Sequence, residues 1–179
     1  MTEQSFIPVR EAEATDATWT RSFLRARWNG TTQAVHGEII DASTLPALIA
    51  GDHQGLATYR WNGRDAELVT LNAVPAGVGA GSALIEALVA RLRAEACTRL
   101  WVTTTNDNLS ALRFYLRRGF RLAEVRPGAI DEARKLKPSI STVGQHGIPL
   151  HDEIELCRML DPNEPFSTSI RSPWCSARR

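Results

Sequence analysis

Gly77, Gly79 and Gly81 stand at alternate positions where an apolar segment, LNAVPA, meets a helix-patterned run, SALIEALVARL. Chain stripped of side chains at a helix start suits one chemistry above others: a phosphate group resting on backbone N–H donors. The first turn of a helix carries unpaired N–H groups and the positive end of the helix dipole. Glycine adds close approach and access to positive φ. Ser82 follows and suits either a phosphate contact or the helix cap. A tight strand-to-helix turn is the commoner reason for such glycines, so the segment needs a second signal elsewhere in the chain. Two other phosphate motifs fit less well. A P-loop requires Lys followed by Ser or Thr, and a dinucleotide fingerprint reads G-x-G-x-x-G where this chain has G-x-G-x-G.

The elements that must hold these residues follow from hydrophobic period. FIPVREA reads as a first strand, and ATDATWTRSFLRARW as a helix with Asp16 a capping candidate. TQAVHGEIIDA resists assignment to helix or strand. Next come three strands, the last two joined at the hairpin signal Asn62-Gly63. In the third, period-two alternation puts Glu67, Val69, Leu71 and Ala73 on one face. A helix from about Ser82 to Ala96 is expected, with Leu84, Leu88 and Leu92 on its buried side. TRLWVTTT reads as a buried strand. NDNLSALRFYLRRG reads as a short helix with an Asn cap and a terminal glycine. FRLAEVRPG and DEIELCRML read as strands, with a helix beginning near Asp131 between them. The result is a mixed sheet covered by helices, one domain over residues 1–160. Residues 161–179 contain Pro and Ser without apolar period and are expected to form a loosely held tail.

Composition narrows the partners. A formal charge of +1 over 179 residues supplies no global field for nucleic acid or an anionic membrane. No apolar run approaches the ~20 residues of a membrane span. The acidic, polar start is unlike a targeting peptide, so a cytoplasmic protein is expected. Cys97, Cys157 and Cys175 are odd in number and widely spaced, which fits neither a disulfide framework nor a metal site. Arg113, Arg117 and Arg118 are spread by helical geometry and read as a solvated face, the last two suiting a helix C-terminus.

The second signal is NLSALRFYLRRGF. It matches N-x-x-A-x-x-x-Y-x-x-x-G-F at Asn108, Ala111, Tyr115, Gly119 and Phe120. With GVGAGSALIEAL before it and a strand between, the chain from about Phe6 to Leu160 resembles the GCN5-related N-acetyltransferase (GNAT) superfamily, and within it a subset of uncharacterised bacterial members. The resemblance implies a mixed, mostly antiparallel central sheet flanked by helices. It also implies acetyl-CoA as acyl donor and direct transfer to a primary amine on a small molecule or peptide. Gly77, Val78, Gly79, Ala80, Gly81 and Ser82 would then surround the pyrophosphate. Backbone groups at Leu71, Ala73 and Val74 would pair with the pantetheine amides, as an extended ligand pairs with a strand edge. Asn108 would cap its helix, touch the pantetheine arm, or both. One departure stands out: the family's Arg or Gln three residues before Gly79 is Ala76 here, and Val78 supplies no charge either.

The resemblance also assigns catalytic roles. Tyr115 would lie near the thioester sulfur. A phenol of pKa ~10 protonating a thiolate of pKa ~8.5 is uphill by about 2 kcal/mol, so a hydrogen bond to developing charge and full proton transfer both stand. An alkyl ammonium of pKa ~10.4 is only ~0.04% free amine at pH 7, so a base is needed. Glu67 is the candidate, an exposed strand-face carboxylate being the plainer role. Asn72, His151 and Asp152 are further candidates for the acceptor pocket, each with an ordinary structural alternative. Two rivals stand beside the enzyme: a catalytically silent acyl-CoA-binding module, and an interaction domain that keeps the fold alone.

Overall fold

The computed structural model describes residues 7–167 and 169–174. In chain order they form β1 (Val9–Glu11), α1 (Ala17–Trp28), β2 (Thr32–Val35), β3 (Glu38–Asp41), β4 (Ala47–Ala50), β5 (Gly55–Asn62) and β6 (Asp65–Ala73). There follow α2 (Ala80–Ala94), β7 (Arg99–Thr105), α3 (Leu109–Leu116), β8 (Arg121–Arg126), α4 (Ala129–Leu136) and β9 (Glu153–Met159). Seven strands make one sheet in the order β1-β4-β5-β6-β7-β9-β8. Every neighbouring pair in it is antiparallel except β6 with β7. The mixed, mostly antiparallel sheet flanked by helices is the fold the sequence implied.

The two faces of the sheet are covered by different elements. On one, α2 buries Leu84, Ile85, Leu88, Val89 and Leu92 against Ala57, Leu68, Leu100, Val102 and Leu156. Full burial of each such side chain is worth about 1.5–3 kcal/mol, which fixes the helix along the middle strands. On the other, Leu24 of α1 packs with Ala47, Ile49 and Leu56. Phe166, Ile170 and Trp174, from the segment read as a tail, pack with Trp101 and Cys157. Thr168 and the residues from Cys175 on lie outside the described residues. Among those described, no helix is long and apolar enough to cross a membrane.

Three local features depart from the sequence reading. The segment that resisted assignment is a hairpin, β2 paired with β3, and its turn is His36-Gly37. Both turn residues have positive φ, 54° and 73°. A two-residue hairpin turn of that kind favours Asn-Gly, so His-Gly gave no recognisable signal. The β5–β6 turn is centred one residue later than Asn62-Gly63 suggested, because Asn62 pairs with Asp65.

The third departure matters most for the site. Thr58 pairs with Thr70 while Tyr59 pairs with Leu68, so Val69 is an extra residue in β6. A bulge of this kind shifts the alternation by one. Glu67, Val69, Leu71 and Ala73 therefore do not share a face. Leu71 and Ala73 join the cluster under α2, whereas Val69 packs on the α1 side.

Candidate active site

The bulge coincides with the point where the sheet opens. Pairing of β6 with β7 runs only from Asp65–Arg99 to Leu68–Val102. Beyond it β6 continues against β5 as far as Ala73, and β7 continues against β9 as far as Thr105. Among the described residues the β7-facing edge of β6 from Val69 onward thus has no strand partner, and its amides are available to an extended ligand.

A cleft of about 500 Å³ adjoins this edge. Of the residues expected to bind a cofactor, Leu71, Ala73, Gly77, Gly79, Ala80, Gly81, Ser82 and Asn108 line it, as do Ala76 and Tyr115. Val74 and Val78 do not. Gly79 is the N-cap of α2 with φ 95°, and among the described residues no side chain caps the helix. That conformation disfavours any residue with a Cβ, and it leaves the first-turn N–H groups open to the cleft. Gly81 has a different reason to be glycine: a Cβ there would stand 3.2 Å from the Phe114 ring. Asn108 caps α3, its Oδ1 accepting from the Ala111 N–H at 3.1 Å, while also lining the cleft.

Tyr115 is 7% exposed and held edge-on between Phe114 and Phe120, each with its ring centroid 5.3 Å away. Among the described residues nothing hydrogen-bonds its hydroxyl. Burial pushes the phenol well above its ordinary value, with Arg118 opposing only in part. The proton therefore stays on oxygen, and the group suits hydrogen-bond donation better than full transfer to a thiolate.

Glu67 lies on the opposite face, and it is not an exposed strand-face carboxylate. It is 1% exposed. Its Oε1 stands 2.5 Å from His36 Nε2, and its Oε2 accepts from Arg60 Nε at 2.7 Å. Arg60 also pairs with Glu38 at 2.8 Å. His36 Nδ1 faces Glu155 Oε1 at 3.5 Å. Nearby Glu153 pairs with Arg126. Burial raises the Glu153 carboxyl above its usual range, and Arg126 only partly offsets this. A second, smaller cavity of about 100 Å³ is lined by Trp28, Gln33, Glu67, Thr103 and Glu153 among others. Trp28 Nε1 donates to Asn72 Oδ1 at 2.5 Å, joining a wall of this cavity to a wall of the cleft.

The remaining sequence candidates have structural duties. Asp152 accepts from the Gly128 N–H at 2.8 Å at the start of α4. His151 Nδ1 meets Asp131 at 3.0 Å on an exposed surface. Cys97 and Cys157 are buried, and burial pushes the Cys157 thiol up to about 12, so neither is poised as a nucleophile. Among the described residues no three His, Cys, Asp or Glu side chains are placed to hold one metal ion.

Sequence reasoning missed His36, Glu153, Glu155 and Arg118. For two of them a signal existed. Glu153 and Glu155 alternate with Ile154 and Leu156 in one strand, so both carboxylates share a face opposite the apolar core. Helical spacing implies a solvated Arg118, yet it lines the cleft and donates to Ser82 Oγ. His36 had no signal, since its hairpin was not recognised.

Similarity to known proteins extends over most of the chain. The acetyltransferase (GNAT) family model matches residues 55–120, the span from β5 to the end of the second motif. The uncharacterised protein YdhI of Bacillus subtilis is 33% identical over 143 residues, covering 78% of this chain and 89% of the relative. The IAA acetyltransferase from Bacillus cereus superposes with a TM-score of 0.68 at 17% identity, covering 86% of this chain and 99% of that one. A GNAT family acetyltransferase from Elizabethkingia anophelis, solved with acetyl-CoA bound, superposes with a TM-score of 0.62 at 15% identity, covering 87% and 99%.

Proposed function

The chain belongs to the GNAT acetyltransferase family, and on that footing we propose that it moves an acetyl group from acetyl-CoA to a primary amine by direct attack in a ternary complex. The observation that carries the reading is the parting of β6 from β7 beside an uncapped helix start. Among the described residues a free strand edge, open N–H groups and a buried phenol with an unused hydroxyl border one cleft. These residues fit a long ligand with amides in its middle and phosphates at one end. When bound, acetyl-CoA supplies an activated thioester.

In this reading the N–H groups of α2's first turn hold the pyrophosphate, and the free edge of β6 from Leu71 to Ala73 pairs with the pantetheine amides. Tyr115 keeps its proton and donates a hydrogen bond to the sulfur as the C–S bond breaks and the C–N bond forms. The acceptor ammonium first gives one proton to Glu67, whose contact with His36 gives it a path onward. The neutral amine then attacks, and its second proton leaves to water while CoA departs as the thiolate. The smaller cavity beside Glu67 and Glu153, with carboxylates on its wall, favours a cationic amine as acceptor.

A specific observation favours a second reading, the silent acyl-CoA binder: both Glu67 oxygens already have partners. Two measurements separate the readings. Calorimetry with acetyl-CoA tests the cleft, and thiol release across a broad panel of amines tests turnover. Binding with turnover supports the enzyme. Binding without turnover on any amine supports the silent module, and no binding removes both.

A further inference from the structure

We propose that Arg118 grips the pyrophosphate of the acyl donor at the first turn of α2, supplying from beyond α3 the cation that the glycine segment lacks at Ala76; the inference rests on the reading that the cleft takes acetyl-CoA. Arg118 follows α3 by two residues, just before Gly119 turns the chain with φ 80°. One terminal nitrogen, Nη1, donates back to the Phe114 carbonyl at 2.9 Å, and the other, Nη2, donates to Ser82 Oγ. The guanidinium carbon lies 3.5 Å above the Phe114 ring centroid. That ring also closes on Gly81. Gly81, Phe114 and Arg118 therefore form a stack, and it fixes the guanidinium beside the helix start whose N–H groups are open.

The cation so fixed has no anion in contact with it among the described residues, Glu86 acting on it only at longer range. Among the described residues no carboxylate ion-pairs with Arg118, and its Nε is buried without a hydrogen-bond partner. Partial burial lowers its pKa, the neighbouring charge of Arg117 lowers it further, and Glu86 opposes both only in part. Two of the five guanidinium N–H bonds are used on Ser82 and Phe114, so donors remain for an oxyanion. An adjoining hollow, which shares Ser82, Phe114 and Arg118 with the cleft, is also lined by Arg113 and Arg117. The acidic side chain on its wall, Glu86, is engaged with Arg158 at 2.9 Å. Three arginines around one helix start form a site for a polyanion, and a planar fork held against that start suits phosphate oxygens. The closeness of Arg118 to Ser82 in the first turn of α2 points to the pyrophosphate. Arg113 and Arg117, farther out, would face a third phosphate.

Calorimetry with CoA and with 3′-dephospho-CoA tests this on the wild-type chain and on Arg118→Met and Arg118→Lys, with thermal melts to establish folding. Arg118→Met is expected to weaken both ligands at least tenfold and to flatten the salt dependence of binding. Arg118→Lys, which keeps the charge without the fork, is expected to fall between, and it serves alone if the Met variant does not fold. Arg118→Met binding both ligands within twofold of wild type overturns the proposal. A loss confined to CoA also overturns it, in favour of the 3′-phosphate. If wild type binds CoA and Gly79→Val loses it while Arg118→Met retains it, the cleft reading stands and the Arg118 inference alone fails. Failure of wild type to bind CoA removes both.

Discussion

His36 Nε2 stands 2.5 Å from Glu67 Oε1, with both side chains buried. The imidazole comes from the tip of the β2–β3 hairpin, and the carboxylate from β6 in the main sheet. This contact ties a peripheral hairpin to the strand that borders the proposed site. The surrounding groups are the carboxylates of Glu153 and Glu155, the guanidinium groups of Arg60 and Arg126, and the hydroxyl of Thr103, 3.5 Å from the same ring nitrogen.

Removing the imidazole therefore leaves Glu67 buried with Arg60 as its remaining partner. His36→Ala is expected to lower unfolding free energy by about 1.5–3 kcal/mol, the scale of a hydrogen bond to a charged group. Positive φ at position 36 contributes separately, and Asn tolerates it well. His36→Asn keeps the turn but does not place a ring against Glu67, so it isolates the network. Urea unfolding of both variants checks this. A His36→Asn protein as stable as wild type would show that the contact carries no stability.

Tyr115→Phe keeps the packing against Phe114 and Phe120 and removes the hydroxyl alone. Folding and acetyl-CoA affinity should stay near wild type, while kcat with an accepted amine falls roughly tenfold to a thousandfold. Because burial holds the phenol above its ordinary ~10, Tyr115 ionisation should produce no fall in activity as pH rises to that value. A wild-type alkaline limb below pH ~10 that vanishes in Tyr115→Phe would contradict the protonated donor.

Gly79→Val tests the helix start. Valine is strained at φ 95°, and its branched side chain would obstruct the N–H groups. A loss of at least tenfold in acetyl-CoA affinity, about 1.4 kcal/mol, is expected by calorimetry. Gly81→Val is the poorer test, because its Cβ meets Phe114 whether or not a ligand binds. Unchanged affinity in a folded Gly79→Val protein would remove the loop from the site.

Asp16 supplies the acid sensitivity that is clearest in sign. Its carboxylate accepts from Arg10 at 2.6 and 2.8 Å and from the Glu13 N–H at 2.8 Å. The Arg10 hydrogen bonds first, then the backbone N–H, hold it far below the usual carboxylate range. A folded-state value below the unfolded one means stability that is complete above the unfolded value of ~3.9 and is lost as pH falls through the folded value. Asp16→Asn should therefore melt below wild type at pH 7, with the gap narrowing toward pH 2. A gap that does not depend on pH would assign the effect to packing.

The sequence by itself determined what depends on neighbours along the chain. The period of Leu84, Leu88 and Leu92 made α2, the glycines marked its start, and the second motif put Tyr115 and Asn108 on one short helix. Most of the expected cofactor residues line one cleft because they belong to two consecutive segments around a strand. Tertiary structure decided what depends on an inserted residue or on distant partners. One bulge at Val69 turned Glu67 away from Leu71 and Ala73, and period-two reasoning cannot see a residue that breaks the period. The partners of Glu67 and Arg118 were hidden for a related reason. His36 lies 31 positions from Glu67 and Ser82 lies 36 from Arg118, and no periodicity links residues on separate elements. Which arginine of a helix end meets which helix start is set by where α2 and α3 each settle on the sheet, and that is a property of the packed core alone.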